Sequence, residues 1–133
     1  MADANNPPTD PSFPLQDFLG MDLAGATGKG AARLTVGPEH MNPNGVVHGA
    51  VLFALVDTAM GKATMTTVDD GQYCASAELS LRFIRPASAG VLITDVEVVK
   101  RGKSIAHLEA RIHDDDDRLI ATAAGTFAIL GPV

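Results

Sequence analysis

Along the chain, apolar positions change period at a few clear points, and those points mark the elements. Leu15, Phe18, Leu19 and Leu23 recur at helical spacing and predict a short amphipathic helix. Gly25, Gly28 and Gly30 then break the pattern, and Ala32, Leu34 and Val36 alternate as a first strand. Pro38 to Gly45 is rich in Pro, Asn and Gly and reads as a loop. From Gly49 to Met65 the chain is apolar almost all the way round a helical wheel, which predicts one long helix buried on most sides.

Everything after that helix reads as sheet. Ala75, Ala77, Leu79, Leu81 and Phe83 face away from Ser76, Glu78, Ser80 and Arg82. A Val-rich strand runs from Val91 to Arg101, and Gly102 and Lys103 turn the chain. Ser104, Ala106, Leu108, Ala110 and Ile112 then alternate with Ile105, His107, Glu109 and Arg111. Four consecutive aspartates lead into a last strand from about Arg118 to Leu130. The expectation is an α+β domain over residues 14–133: a curved antiparallel sheet of five to six strands wrapped around one helix. Residues 1–13, rich in Pro, Asn and Asp, read as a flexible arm.

Composition narrows the function classes. Apolar residues make up 46% of 133 positions, enough for one core and too few for two domains. A net charge of -6 argues against a nucleic-acid partner, which would call for a basic patch. Cys74 is the only cysteine, so the chain carries no internal disulfide and no Cys-rich metal site. No secretory pattern opens the sequence, and the apolar run Gly49–Val56 is far too short to span a bilayer. A cytoplasmic protein without a membrane partner is expected.

Asp57 breaks the apolar helix. An ionised carboxylate left unpaired among Leu52, Phe53, Leu55, Val56 and Met60 costs several kcal/mol, so it either has a partner or does a job. Lys62, His48 and Thr58 are the candidate partners. At the helix entrance, the N–H groups of Gly49 and Ala50 lack intrahelical acceptors and, with the helix dipole, can hold an oxyanion. His48 and Asn42 stand beside them as further donors. Asp57 lies eight residues beyond Gly49, about 12 Å along the axis, so one small acyl group cannot reach both in one chain. If the two act together, the site lies between two subunits and a dimer is required.

The run Asn42-x-x-Gly45-x-x-His48-Gly49-Ala50, followed by Leu55-x-Asp57-x-Ala59, resembles the hotdog-fold acyl-CoA thioesterases of the phenylacetate-degradation (PaaI-like) branch. The likeness continues through Phe83–Ala87 and the terminal ATAAGTFAIL, with Ala50 where a second glycine is usual. The resemblance implies hydrolysis of an acyl- or aryl-acyl-CoA, with CoA as part of the substrate and no separate cofactor. It makes Asp57 the general base or nucleophile and the Gly49 N–H the oxyanion donor. Asn42 and His48 become orienting groups, and Ser76 a hydroxyl that places water. It also implies a tetramer. For the CoA phosphates, Arg82, Arg85, Arg101, Lys103 and Ser104 are the candidates, since anions need cations and N–H donors.

Two other functions remain open on the sequence. A hydroxyacyl-thioester dehydratase would pair a loop histidine, here His40, with Asp57. An acyl-CoA-binding module would bind without turnover. The stretch His113–Asp117 reads as a solvated turn rather than a metal site, because it lacks the glycine and terminal glutamate of a calcium loop. The acyl pocket is expected to draw on Phe18, Leu19, Phe53, Met60 and Met65.

Overall fold

The structure is a computed structural model that describes residues 13–23, 25 and 27–132. Most of the expected arm, residues 1–12, lies outside the described residues. Two helices, α1 (Pro14–Leu19) and α2 (Gly49–Met65), accompany six strands: β1 (Met21–Asp22), β2 (Gly28–Thr35), β3 (Tyr73–Phe83), β4 (Val91–Arg101), β5 (Ile105–Asp114) and β6 (Leu119–Leu130). The strands form one antiparallel sheet in the order β1-β2-β4-β5-β6-β3. The long helix packs against five of them, so the expected sheet wrapped around one helix is what forms.

Three local expectations change. Leu23 lies beyond α1, which stops at Gly20 in the left-handed conformation (φ 73°). Only Leu19 of the helix is buried, while Phe18 is 76% exposed. Gly28 and Gly30 do not lie ahead of the expected first strand as a break but belong to it, as β2, at φ 76° and 70°. They form an irregularity in the β2–β4 pairing, where positive φ lets the strand bend, and the Gly30 N–H donates to Asp95 Oδ1 at 2.9 Å.

The third change concerns α2. Val51, Leu52, Leu55, Val56, Ala59, Met60, Ala63 and Thr64 are buried against the sheet. The opposite stripe of Ala50, Phe53, Ala54, Asp57, Thr58 and Gly61 is left half-buried or exposed. The helix is therefore covered on one face within a chain, not on most. Beside the open stripe runs β3, which is an edge strand among the described residues and mostly exposed.

Helix and sheet approach closely at Gly125 on β6. A Cβ there would lie 2.6 Å from Met60 Sδ, closer than carbon and sulfur can sit, and 3.2 Å from Leu79 Cδ1, a tight contact. A glycine at this point lets the fully buried Met60 rest on the strand.

Candidate active site

The helix entrance is built by the loop before it. His48 takes the N-cap position in extended conformation, and its Nδ1 accepts the Ala50 N–H at 2.9 Å. Its carbonyl accepts the Val51 N–H at 2.9 Å. The Ala50 donor is thus already used, and the Gly49 N–H has no acceptor among the described residues. With Nδ1 accepting, the proton of the neutral ring sits on Nε2, on an exposed side chain.

Asn42 is committed to the loop. Its Oδ1 accepts N–H groups from Asn44 at 2.9 Å and Val46 at 3.3 Å, an Asx turn that leaves only the amide NH2 for a ligand. His40, the histidine a dehydratase would need beside Asp57, is 1% exposed and bonded through both ring nitrogens elsewhere.

A cavity of about 350 Å³ opens at this entrance, lined by Gly49, Leu52, Phe83, Arg85 and neighbours in the loop. Phe83 was not anticipated there. A Cβ at Gly49 would lie 3.2 Å from its ring, so glycine lets the ring rest on the first helical turn. Phe83 also stacks at a tilt against Phe53, with centroids 6.0 Å apart. Both rings are more than a third exposed, unusual for large apolar groups. In the sequence, Phe83 is marked by its place at a strand end beside a turn and by the family likeness of Phe83–Ala87.

Asp57 lines a second cavity of about 260 Å³ with Phe53, Ala54, Ser76, Ala77, Glu78 and Leu79. Its Oδ1 is buried without a hydrogen-bond partner among the described residues. None of the candidate partners holds it: the Lys62 ammonium donates instead to the Leu23 carbonyl. Ser76 reaches this cavity because β3 is irregular between Ser76 and Glu78. Ser76 pairs with buried Phe127, whereas Glu78 pairs with Thr126 on the other face. Simple alternation would have put Ser76 and Glu78 on one side.

Cys74 precedes Ser76 by two positions on the same face. Burial pushes its thiol pKa up, and the nearby Asp57 carboxylate pushes it further in the same direction. Its Sγ lies 3.6 Å from the Gly61 carbonyl, one helical turn beyond Asp57.

The five candidate CoA contacts are spread over three places. Arg85 lines the Gly49 cavity. Arg82 lies in a cavity of about 620 Å³ on the outer face of the sheet, among Lys29, Arg111, Asp95, Glu97 and Glu109. That cavity is larger than either of the two beside α2, yet neither Asp57 nor Gly49 lines it. Lys103 and Ser104 share a cavity of about 250 Å³ at the β4–β5 turn with Lys100 and His107, which are not among the expected CoA contacts. Arg101 is tied into that turn, donating to the Gly102 and Lys103 carbonyls and to Gln72 Oε1.

Of the expected acyl-pocket residues, only Phe53 lines either of the two cavities beside α2. Met60 is fully buried and Leu19 belongs to the core. At the aspartate turn, Asp114, Asp115 and Asp116 come together, but Asp114 is satisfied by Arg118 and by the Asp116 N–H.

The sequence profile of the thioesterase superfamily matches residues 44–121, which include the α2 entrance, Asp57 and Ser76. The chain belongs to that superfamily. The Pseudomonas aeruginosa protein named Putative esterase PA0474 is 32% identical over 119 residues, covering 87% of this chain and 88% of its own length. The match to Putative esterase SSO1253 of Saccharolobus solfataricus, 31% identical over 85 residues, covers 64% of this chain and spans only 56% of that protein.

Among solved structures, a Bacillus halodurans protein crystallised with CoA is similar at TM-score 0.81 and 26% identity. That match covers 90% of this chain and 77% of the other. The phenylacetic acid degradation-related protein of Ralstonia eutropha is similar at TM-score 0.78 and 27% identity, over 90% and 92% of the two chains. The thioesterase-superfamily chain thus has the hotdog fold with PaaI-like neighbours, and by family it is a thioester hydrolase. Among the described residues, no helix is long and apolar enough to cross a membrane.

Proposed function

We propose that this thioesterase hydrolyses an acyl- or aryl-acyl-CoA to the free acid and CoA at a site shared by two subunits. The observation that carries the reading is Asp57: a carboxylate with one buried, unpartnered oxygen, facing Ser76 on the uncovered side of α2. An acceptor held in that way is set to take a proton from water or to attack a carbonyl itself.

In the general-base form, Asp57 removes a proton from water held by the Ser76 hydroxyl, and the water oxygen attacks the thioester carbonyl. Negative charge gathers on the carbonyl oxygen, where the unused Gly49 N–H and the helix dipole stabilise it. The His48 Nε2–H and the Asn42 amide NH2 orient the substrate. The C–S bond then breaks, CoA leaves as the thiolate and takes up a proton, and the acid is released. In the nucleophile form, Asp57 carries the acyl group as an anhydride before water enters.

The distance of about 12 Å between Gly49 and Asp57 makes each entrance complement the carboxylate of a second copy. The open stripe of α2 and the edge strand β3 are the surfaces such a copy would cover. CoA recognition then falls to Arg85 beside the entrance and to Lys103, Ser104, Lys100 and His107 at the β4–β5 turn, where cations suit phosphate. The CoA in the similar Bacillus halodurans structure and the phenylacetic acid link of the Ralstonia eutropha protein support the substrate class.

The test is CoA release, followed with a thiol-reactive dye across acyl- and aryl-acyl-CoAs, for wild type and Asp57→Asn. Wild type should turn over, and the variant should lose about 10²- to 10⁴-fold in kcat while its mass by light scattering stays unchanged. Binding of these thioesters by wild type without CoA release would overturn the reading.

A further inference from the structure

His40 is the most buried ionisable side chain among the described residues, and the hydrolysis just described makes no use of it. Its Nδ1 accepts the Gly37 N–H at 2.9 Å, and its Nε2 lies 2.7 Å from the Leu19 carbonyl. A carbonyl can only accept and the Gly37 amide can only donate, so a single neutral tautomer, protonated on Nε2, satisfies both. The Glu39 carboxylate, 3.5 Å from Nε2 and half exposed, is a nearby charge and not a competing acceptor.

The same residue reaches the helix entrance through its backbone. The His40 carbonyl accepts the His48 N–H at 2.8 Å. His48 in turn caps α2 by accepting the Ala50 N–H through its ring, and Gly49 lies between those two residues. One residue therefore ties the end of α1 and the turn at Gly37 through its ring, and the N-cap of α2 through its backbone carbonyl, into a single unit. The loop between His40 and His48 has local bonds of its own through Asn42. Outside the loop it is also held by the Val47 N–H to the Ala87 carbonyl at 2.8 Å and by the Met41 N–H to the Pro38 carbonyl at 3.3 Å.

We infer that His40 is a positioning residue for thioester hydrolysis: its ring fixes the loop that sets the direction of the Gly49 N–H. This rests on the reading of Gly49 as oxyanion donor. An N–H donor works only if it already points at the place the oxyanion will occupy, so a small rotation of the cap lowers kcat and leaves substrate binding largely intact.

Two conservative variants separate the arms of the latch. His40→Asn keeps an acceptor near Nδ1 for Gly37 and loses the donor to Leu19. His40→Gln keeps a donor near Nε2 and loses the acceptor. Both should be measured as full-length folded protein by steady-state CoA release and by amide NMR of uniformly ¹⁵N-labelled samples. The expected result is a fall in kcat of about tenfold, part of the 10²- to 10³-fold that removal of a whole oxyanion donor costs, with KM changed less than about threefold. The Gly49 and Ala50 amide signals should shift while that of Leu108, on β5, stays in place. A folded variant with kcat within twofold of wild type overturns the inference, and so do unmoved Gly49 and Ala50 signals. Should wild type release no CoA from any thioester, the functional reading fails by itself. The amide shifts then still decide whether His40 holds the helix entrance.

Discussion

Asp57 on α2 and Ser76 on β3 line the same cavity because β3 is irregular just after Ser76. Without that extra residue, the hydroxyl would share the outer face with Glu78 and Ser80, and the carboxylate would look out on an apolar strand. The irregularity also sets Cys74 on the inner face, two residues before Ser76 and beside the carboxylate. Bulges commonly re-aim a side chain next to a functional centre, and here one lies on the edge strand along the helix's open face.

That neighbourhood gives a prediction that needs no substrate. Burial raises the Cys74 thiol pKa first, and the Asp57 carboxylate raises it further, because a nearby negative charge disfavours the thiolate. Asp57→Asn should therefore move the pH profile of Cys74 alkylation to lower pH, toward but not below that of an ordinary thiol, since burial remains. Rates of reaction with iodoacetamide between about pH 7 and 10 report this. An unmoved profile would mean that the carboxylate points away from Cys74 and out of the shared cavity.

The close approach at Gly125 makes a second prediction, in which two effects oppose one another. Replacing a strand glycine with alanine normally stabilises by roughly 0.5–1 kcal/mol through backbone entropy. Here the new methyl would lie 2.6 Å from Met60 Sδ, and Met60 is fully buried with little room to retreat. Overpacking costs roughly 1–3 kcal/mol, so the balance for Gly125→Ala should be a loss of about 1–2 kcal/mol by chemical denaturation. In a Met60→Val background, which removes the sulfur, the same substitution should become neutral or stabilising. Additive effects in the double variant would rule out this contact as the cause.

Much of this architecture is legible in the sequence because its signals are long. The 17-residue apolar helix is bounded by His48, its cap, and by Thr66, where the chain turns away, and its predicted limits coincide with the observed ones. β4, β5 and β6 are each ten residues or longer, and strict alternation runs the whole length of β5. Short and irregular features escape. Two residues of β1 carry no periodicity, and Gly28 and Gly30 read equally well as breaks or as a bulge until a partner strand sets their register.

At the site, spacing alone puts Gly49 and Asp57 on one helix face about two turns apart. Residues brought in from elsewhere are harder to foresee. Phe83 arrives through packing on Gly49, and His40 is a core latch that looks like any loop histidine. Scattered arginines look like a cluster in the sequence because turns recur. The sheet then sends Arg82 to its outer face and Arg85 to the helix entrance.

The aspartate turn carries the last prediction. Asp114 is buried, and its carboxylate accepts the Arg118 N–H at 2.8 Å, the Arg118 Nε at 2.7 Å and the Asp116 N–H at 3.0 Å. The Arg118 backbone donor foremost, then the Arg118 side chain and the Asp116 N–H, outweigh burial and hold its carboxyl below the ordinary aspartate value. A depressed folded-state pKa stabilises the fold only while the carboxylate is ionised. The contribution is complete above the unfolded value of roughly 4 and is lost as pH falls from there through the lower folded value. Wild type should therefore be more stable than Asp114→Asn by a constant margin from about pH 5 to 8, and the margin should shrink steadily below about pH 4. Urea denaturation of both proteins at pH 7, 5, 4 and 3 measures it. A margin that stays the same at all four would assign the stabilisation to turn geometry, which asparagine can also supply, and not to the charge.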